Sequence, residues 1–123
     1  MRTALVGGAG ALGAMARYLF EGLVSTRWPG IFPLGTFLVN ASGCLLLGFV
    51  FTVTTERFLV EPAIRSAITI GFLGAYTTFS TFSLETLRLI EDGAYLVAAA
   101  NALGSLAAGL VAVYVGIVLG RMV

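Results

Sequence analysis

Thirteen consecutive residues, Gly71 to Ser83, carry two glycines, three threonines and two serines inside an otherwise apolar run. A membrane helix satisfies one or two hydroxyls by bonding them back to its own carbonyls. Five of them, beside a Gly71-x-x-Gly74 turn, predict that the helix breaks here. Irregular backbone at membrane depth survives only where protein buries it or water reaches it. This stretch is therefore the first candidate for an ion or substrate path. Its chemistry is hydrogen-bond donation without a titrating group.

Other polar residues extend that chemistry. Asn40 lies near the centre of an apolar segment, with Thr36 one turn earlier on the same face. A primary amide in hydrocarbon is costly unless bonded, and its two N–H groups suit either a small anion or a neighbouring carbonyl. Phe79 and Phe82, three residues apart, point to similar sides of a helix. Their ordinary role is packing; their ring edges, the positive part of the aromatic quadrupole, can also face an anion. Thr81 and Ser83 add hydroxyls, and Glu85 closes the polar run. Further on, Asn101 and Ser105 are i, i+4 neighbours in the middle of the last apolar segment. Arg17 and Glu21, also four apart, either pair, anchor a helix end or draw an anion to a vestibule.

Absences narrow the chemistry. The chain has no histidine, hence neither the usual catalytic base nor the commonest metal ligand. Its single cysteine, Cys44, excludes an intrachain disulfide and reads as a small hydrophobe. Glu21, Glu56, Glu61, Glu85, Glu91 and Asp92 all fall toward segment ends or loops, leaving no carboxylate at a plausible midplane. Donors without a central acid make a lining for a small anion that moves passively.

The elements that must position these residues are membrane helices. Of the 123 residues 59% are hydrophobic and only 11% charged, too few to cover a water-soluble domain. Four apolar segments, roughly 3–24, 34–54, 62–90 and 94–120, each approach the ~20 residues a span requires. Short connections separate them: Ser25–Gly30 with an interfacial Trp28, Glu56 to Glu61 before a helix-opening Pro62, and Glu91-Asp92-Gly93. A single domain over 1–123 follows, with the third helix interrupted between Gly71 and Thr78. No cleavable leader is expected, because the first apolar run continues to Arg17 and is itself a span.

Gly8-Ala9-Gly10-Ala11-Leu12-Gly13 matches a dinucleotide-binding pattern. No acidic residue follows at the required distance and no βαβ unit can be drawn, so the glycines read as a small helix face. A net charge of +1 gives no indication of nucleic acid. Four spans divide the arginines into Arg2, Arg57, Arg65 and Arg121 at one side and Arg17, Arg27 and Arg88 at the other. So even a split fixes no orientation and predicts dual topology. Ala100, Gly104, Ala108, Ala112, Gly116 and Gly120 form an i+4 stripe that suits close helix association, within a chain or between two.

The residues then resemble a known family. Gly74-Ala75-Tyr76-Thr77-Thr78-Phe79-Ser80-Thr81-Phe82-Ser83 is similar to the third-helix signature of the small fluoride channels, the Fluc (CrcB) family. Pro33-Leu34-Gly35-Thr36 with Val39-Asn40-x-x-Gly43 resembles that family's second-helix motif, and Gly7-Gly8-x-Gly10-x-x-Gly13-Ala14-x-x-Arg17-Tyr18 its first. The resemblance implies an all-α membrane protein, an antiparallel, dual-topology homodimer in the cell (inner) membrane that exports fluoride passively through two pores. It implies a central sodium ion held by the backbone carbonyls of Gly74 and Thr77 of both subunits. It places Asn40, Phe79, Phe82, Thr81, Ser105, Thr36 and Glu85 along the pore, with Arg17 at the vestibule. Asn101 is a further pore candidate that departs from the family pattern, where a tyrosine or another hydroxyl is expected.

Two readings compete. A dual-topology exporter of small molecules would need a midplane acid that this sequence lacks. A membrane assembly subunit would use the polar third helix only as adhesive. An enzyme is excluded by the want of any nucleophile–base pair.

Overall fold

A computed structural model describes all 123 residues, Met1–Val123. The chain is helical throughout. Helix α1 spans Arg2–Arg27 and closes with the Trp28 N–H on the Val24 carbonyl at 2.9 Å. Helix α2 spans Leu34–Thr52 and runs on as a π-helical turn over Val53–Arg57. Helix α3, Pro62–Ser66, opens on Pro62, whose missing N–H costs nothing in a first turn. It continues through a π-helical segment, Ala67–Leu73, into the single turn α4, Gly74–Tyr76. Helix α5 spans Phe79–Glu91 and α6 spans Tyr95–Met122. Between them Gly93 takes φ +76°, a conformation natural to glycine, and the Gly93 and Ala94 N–H groups cover the Ile90 and Leu89 carbonyls.

The expected segments match these helices to within a few residues, but one of four differs in character. Leu34–Arg57, Pro62–Glu91 and Tyr95–Met122, at 24, 30 and 28 residues, are long and apolar enough to cross a membrane. Helix α1 has the length, 26 residues, but not the apolarity. Arg2, Arg17, Glu21, Arg27 and five glycines dilute it.

The expected turn at Gly71 and Gly74 is also corrected. Both glycines are helical, and the chain leaves the helix only at Thr77 (φ −83°, ψ 159°) and Thr78 (φ −148°, ψ 118°). Gly71 serves packing instead: a Cβ there would lie 2.6 Å from the Val6 carbonyl oxygen of α1.

Glycines set the close approach of α1 to the third span and of α2 to α6. On α1, a Cβ at Gly13 would collide with the Phe72 carbonyl. Between α2 and α6, Gly48 faces the Val113 carbonyl and Gly116 the Leu45 carbonyl with no room for a methyl, and Gly120 sits against Thr52. In lipid such approach supplies the dispersion contacts that water-driven burial supplies elsewhere. The small stripe of α6 is thus divided, its C-terminal half closed against α2 while Gly104 meets nothing within 4 Å. Gly8 of the nucleotide-like pattern is equally open, and the pattern lies wholly inside helix α1. Only 18 of the 123 residues are buried, so most of the apolar surface needs lipid or a partner to cover it.

Candidate functional site

The site forms where the third helix breaks. Thr77 and Thr78 are extended, so the carbonyls of the preceding turn lose their helical donors. Asn40, from the middle of α2, takes over part of that bonding. Its Oδ1 accepts the Thr78 N–H at 2.8 Å and its Nδ2 donates to the Thr78 carbonyl at 3.0 Å. The amide therefore clamps both backbone groups of one residue, and this double bond fixes which way it faces. One N–H of Asn40 remains uncommitted.

Thr78 then starts α5. Its hydroxyl accepts the Thr81 N–H at 3.2 Å, an N-cap bond, and donates to the Thr81 hydroxyl at 3.1 Å. The Thr81 hydroxyl proton stays free. One turn further along α5, Glu85 accepts from the Thr36 hydroxyl at 2.8 Å, while its other oxygen is buried without a partner. Thr36 and Asn40 on α2 thus face Glu85 and Thr78 as two rungs of a ladder, with Thr81 between. An open groove of about 250 Å³ at the break is lined by Asn40, Thr69, Gly74, Thr77, Thr78 and Phe79 among others.

The opposite flank of α5 carries a second network. Asn101, 1% exposed, donates from Nδ2 to the Thr86 hydroxyl at 2.9 Å, and Thr86 donates to the Phe82 carbonyl at 2.8 Å. Ser105 donates to Asn101 Oδ1 at 3.3 Å. Every hydroxyl proton in this seam has an acceptor inside the protein. Asn101, the position that departs from the family pattern, joins α5 to α6.

Phe79 and Phe82 stand 5.8 Å apart between centroids, tilted by 44°, with Phe79 79% exposed. Arg17 does not reach the ladder directly. Its Nε donates to the Ala75 carbonyl at 3.2 Å, one of the acceptors stranded by the break, and its Nη1 lies 3.9 Å from Glu21. Gly74 and Thr77 bracket the same turn. Their i+4 donors, the N–H groups of Thr78 and Thr81, have turned to Asn40 and to the Thr78 side chain. Both carbonyls are thereby left without a helical donor, as the ligand chemistry of a small hard cation requires.

Three participants were not singled out by the sequence. Thr78 is both the clamped residue and the N-cap, a role its Thr-x-x-Thr spacing before an apolar helix signals. Thr86 links Asn101 to α5. Ser42 meets the buried Tyr76 hydroxyl at 2.9 Å, tying α2 to the last turn before the break; neither contact has a local signature.

Residues 4–117 match the family model described as CrcB-like protein, Camphor Resistance (CrcB). A protein of Nitratidesulfovibrio vulgaris named fluoride-specific ion channel FluC is 50% identical over 119 residues, 97% of this chain and 96% of the relative. Fluoride-specific ion channel FluC 1 of Moorella thermoacetica is 44% identical over 113 residues, 92% of this chain and 81% of the relative. The Magnetococcus marinus protein named fluoride-specific ion channel FluC is 42% identical over 123 residues, the full length of both. With three helices apolar enough to span and relatives that are named ion channels, this is a multi-pass membrane protein and not an enzyme. The family-model match over residues 4–117 and relatives 42%, 44% and 50% identical along nearly all of its length make the chain a member of the CrcB family.

Proposed function

We propose that this chain is a subunit of a passive, electrogenic, fluoride-selective channel that exports cytoplasmic fluoride across the cell (inner) membrane. Two copies, inserted antiparallel among the lipids, form the unit, with four spans in each and a pore on either side of the shared axis. The observation that carries this reading is the ladder from Thr36 and Glu85 to Asn40 and Thr78, with uncommitted donors at Asn40 and Thr81 beside the break. The names of the relatives supply the ion.

Fluoride is small and strongly hydrated, so its path must offer donors close together yet release the ion at each step. The remaining Asn40 N–H is pre-aimed because both amide atoms are already bonded to Thr78. That saves reorganisation when the ion arrives. The Thr81 hydroxyl is the next free donor. The edges of Phe79 and Phe82 pass the ion on without holding it tightly. Ser105 borders the path, and Asn101 acts from behind it by fixing α6 against α5. Helix α1, the least apolar of the four, crosses the membrane with its polar turn toward the vestibule, where Arg17 attracts the anion. The exposure of Phe79 and of the open half of the α6 stripe fits a second copy covering both.

Sodium, in this reading, is the one resident ion. The Gly74 and Thr77 carbonyls of both copies would hold it, and its charge would fasten the two breaks together. The exporter alternative gains nothing, since Glu85 is bonded to Thr36 toward one end of its span rather than at a central exchange point.

Fluoride efflux from liposomes, read with an electrode beside a chloride control, tests the proposal. Fast, valinomycin-dependent release of fluoride with little chloride is expected. Equal release of both anions would overturn the selectivity. Release of neither, from protein shown to be dimeric, would favour an assembly subunit.

A further inference from the structure

Glu21 is a charged residue beside the path that neither the resemblance nor the ladder uses. Its carboxylate is four-fifths covered, its side chain 21% exposed. Oε2 lies 3.9 Å from Arg17 Nη1, too far for a hydrogen bond, and Oε1 is buried with no partner at all. Arg17 is held by a different bond, from Nε to the Ala75 carbonyl. Glu21 is therefore not what keeps Arg17 in place.

Its position is fixed by backbone packing. A Cβ on Gly35 would lie 3.1 Å from the Glu21 carbonyl oxygen and 3.3 Å from its Cα, so this turn of α1 rests directly on the start of α2. The next residue, Thr36, holds Glu85, whose second oxygen is also buried and unpartnered. At the mouth of an anion path, the Glu21 carboxylate thus lies beside the one guanidinium, 3.9 Å from Arg17 Nη1. A covered carboxylate oxygen without a donor costs stability rather than adding it, so its effect is to be sought in the field it sets up.

Resting on the channel reading, we infer that Glu21 sets the rate of anion entry by offsetting the attraction of Arg17. The vestibule is held less positive than Arg17 alone would make it. Charges that steer an ion act over the Debye length, about 30 Å at 10 mM salt and about 3 Å at 1 M.

The test compares initial fluoride efflux from liposomes carrying wild type, Glu21→Gln and Glu21→Asp, with N-methylglucamine glutamate setting the ionic strength. Glu21→Gln keeps the shape and removes the charge. It should raise the rate about two- to fivefold at roughly 10 mM and by less than about 1.5-fold near 1 M. Glu21→Asp keeps the charge and should track wild type. Should the glutamine variant not give dimeric protein, Glu21→Ser is read in the same way. No change, a fall, or a rise that salt does not diminish would overturn the inference while leaving a conducting channel. Wild-type vesicles that release no fluoride would overturn the channel reading together with it.

Discussion

Helix α5 has two polar flanks, and they are finished differently. On the α2 side, Asn40 and Thr81 each keep a donor that no protein atom accepts, beside an open groove. On the α6 side, Ser105, Asn101, Thr86 and the Phe82 carbonyl pass their hydrogen bonds along until each hydroxyl proton is used, and Asn101 is 1% exposed. Both seams are built from an amide and hydroxyls, so composition alone does not tell one from the other. The distinction lies in the hydroxyls and in access: Thr81 keeps a free proton and Asn40 lines an open groove, whereas Thr86 and Ser105 have no proton to spare and the remaining N–H of Asn101 is buried.

The comparison can be broken most severely at Asn40. Asn40→Ala strands the Thr78 N–H and carbonyl and removes the free N–H, each a loss of about 1–3 kcal/mol. Fluoride efflux should fall by about a hundredfold or more while the protein remains dimeric on size-exclusion chromatography; efflux within about tenfold of wild type would refute the clamp as the organiser of the path.

Phe82→Ile replaces a ring edge with an aliphatic branch beside the same break. Flux should drop by at least about tenfold with the dimer intact, since one donor-like contact of about 1.4 kcal/mol is a factor of ten. A dissociated dimer whose flux per dimer is unchanged would instead point to adhesion.

Asn101→Ala sharpens the contrast from the other side. It should lower resistance to unfolding in detergent by about 1–2 kcal/mol, the range for interhelical polar bonds in membranes, and reduce flux only a few-fold. A flux loss as deep as that of Asn40→Ala would place Asn101 on the ion's route.

The smallest effect is expected of Ser105→Ala, which removes one bond of a closed relay, less than about 1 kcal/mol and less than about threefold in flux. Thr81→Val, an equally small excision from the open seam, should cost several times more when both are measured in the same efflux assay.

Much of this was legible in the residues. Pro62 opened its helix and Gly93 ended α5, because both act through local backbone geometry. The density of hydroxyls between Gly71 and Ser83 located the break to within a few positions. The interruption expected between Gly71 and Thr78 contains the break, but the turn expected at Gly71 and Gly74 is helix, for a physical reason. A glycine inside a helix costs only about 1 kcal/mol, which packing repays, and α1 lies against Gly71 closely enough to use it. The break falls instead where Asn40, 38 residues away, can bond Thr78, a tertiary fact with no local trace. Asn101 and Ser105 were visible as neighbours, but Thr86 as their partner was not, because a threonine on an exposed turn and one under a crossing helix look alike in sequence. Helix α1 kept its length while failing as an apolar span, since the charges that suit a vestibule are the ones that lower hydropathy.

The π-helical segment Ala67–Leu73 has a consequence for how the gene can vary. A π turn is an α-helix that has accommodated one surplus residue. Losing a single codon within 67–73 would let the chain revert to regular winding without moving the break. The residues from Pro62 to Ser66 would keep their faces, because the surplus residue is taken up within the π turns themselves. An in-frame deletion there is absorbed locally, whereas sequences aligned across it by counting residues would be one residue, about 100°, out of step and would have their α3 faces misassigned.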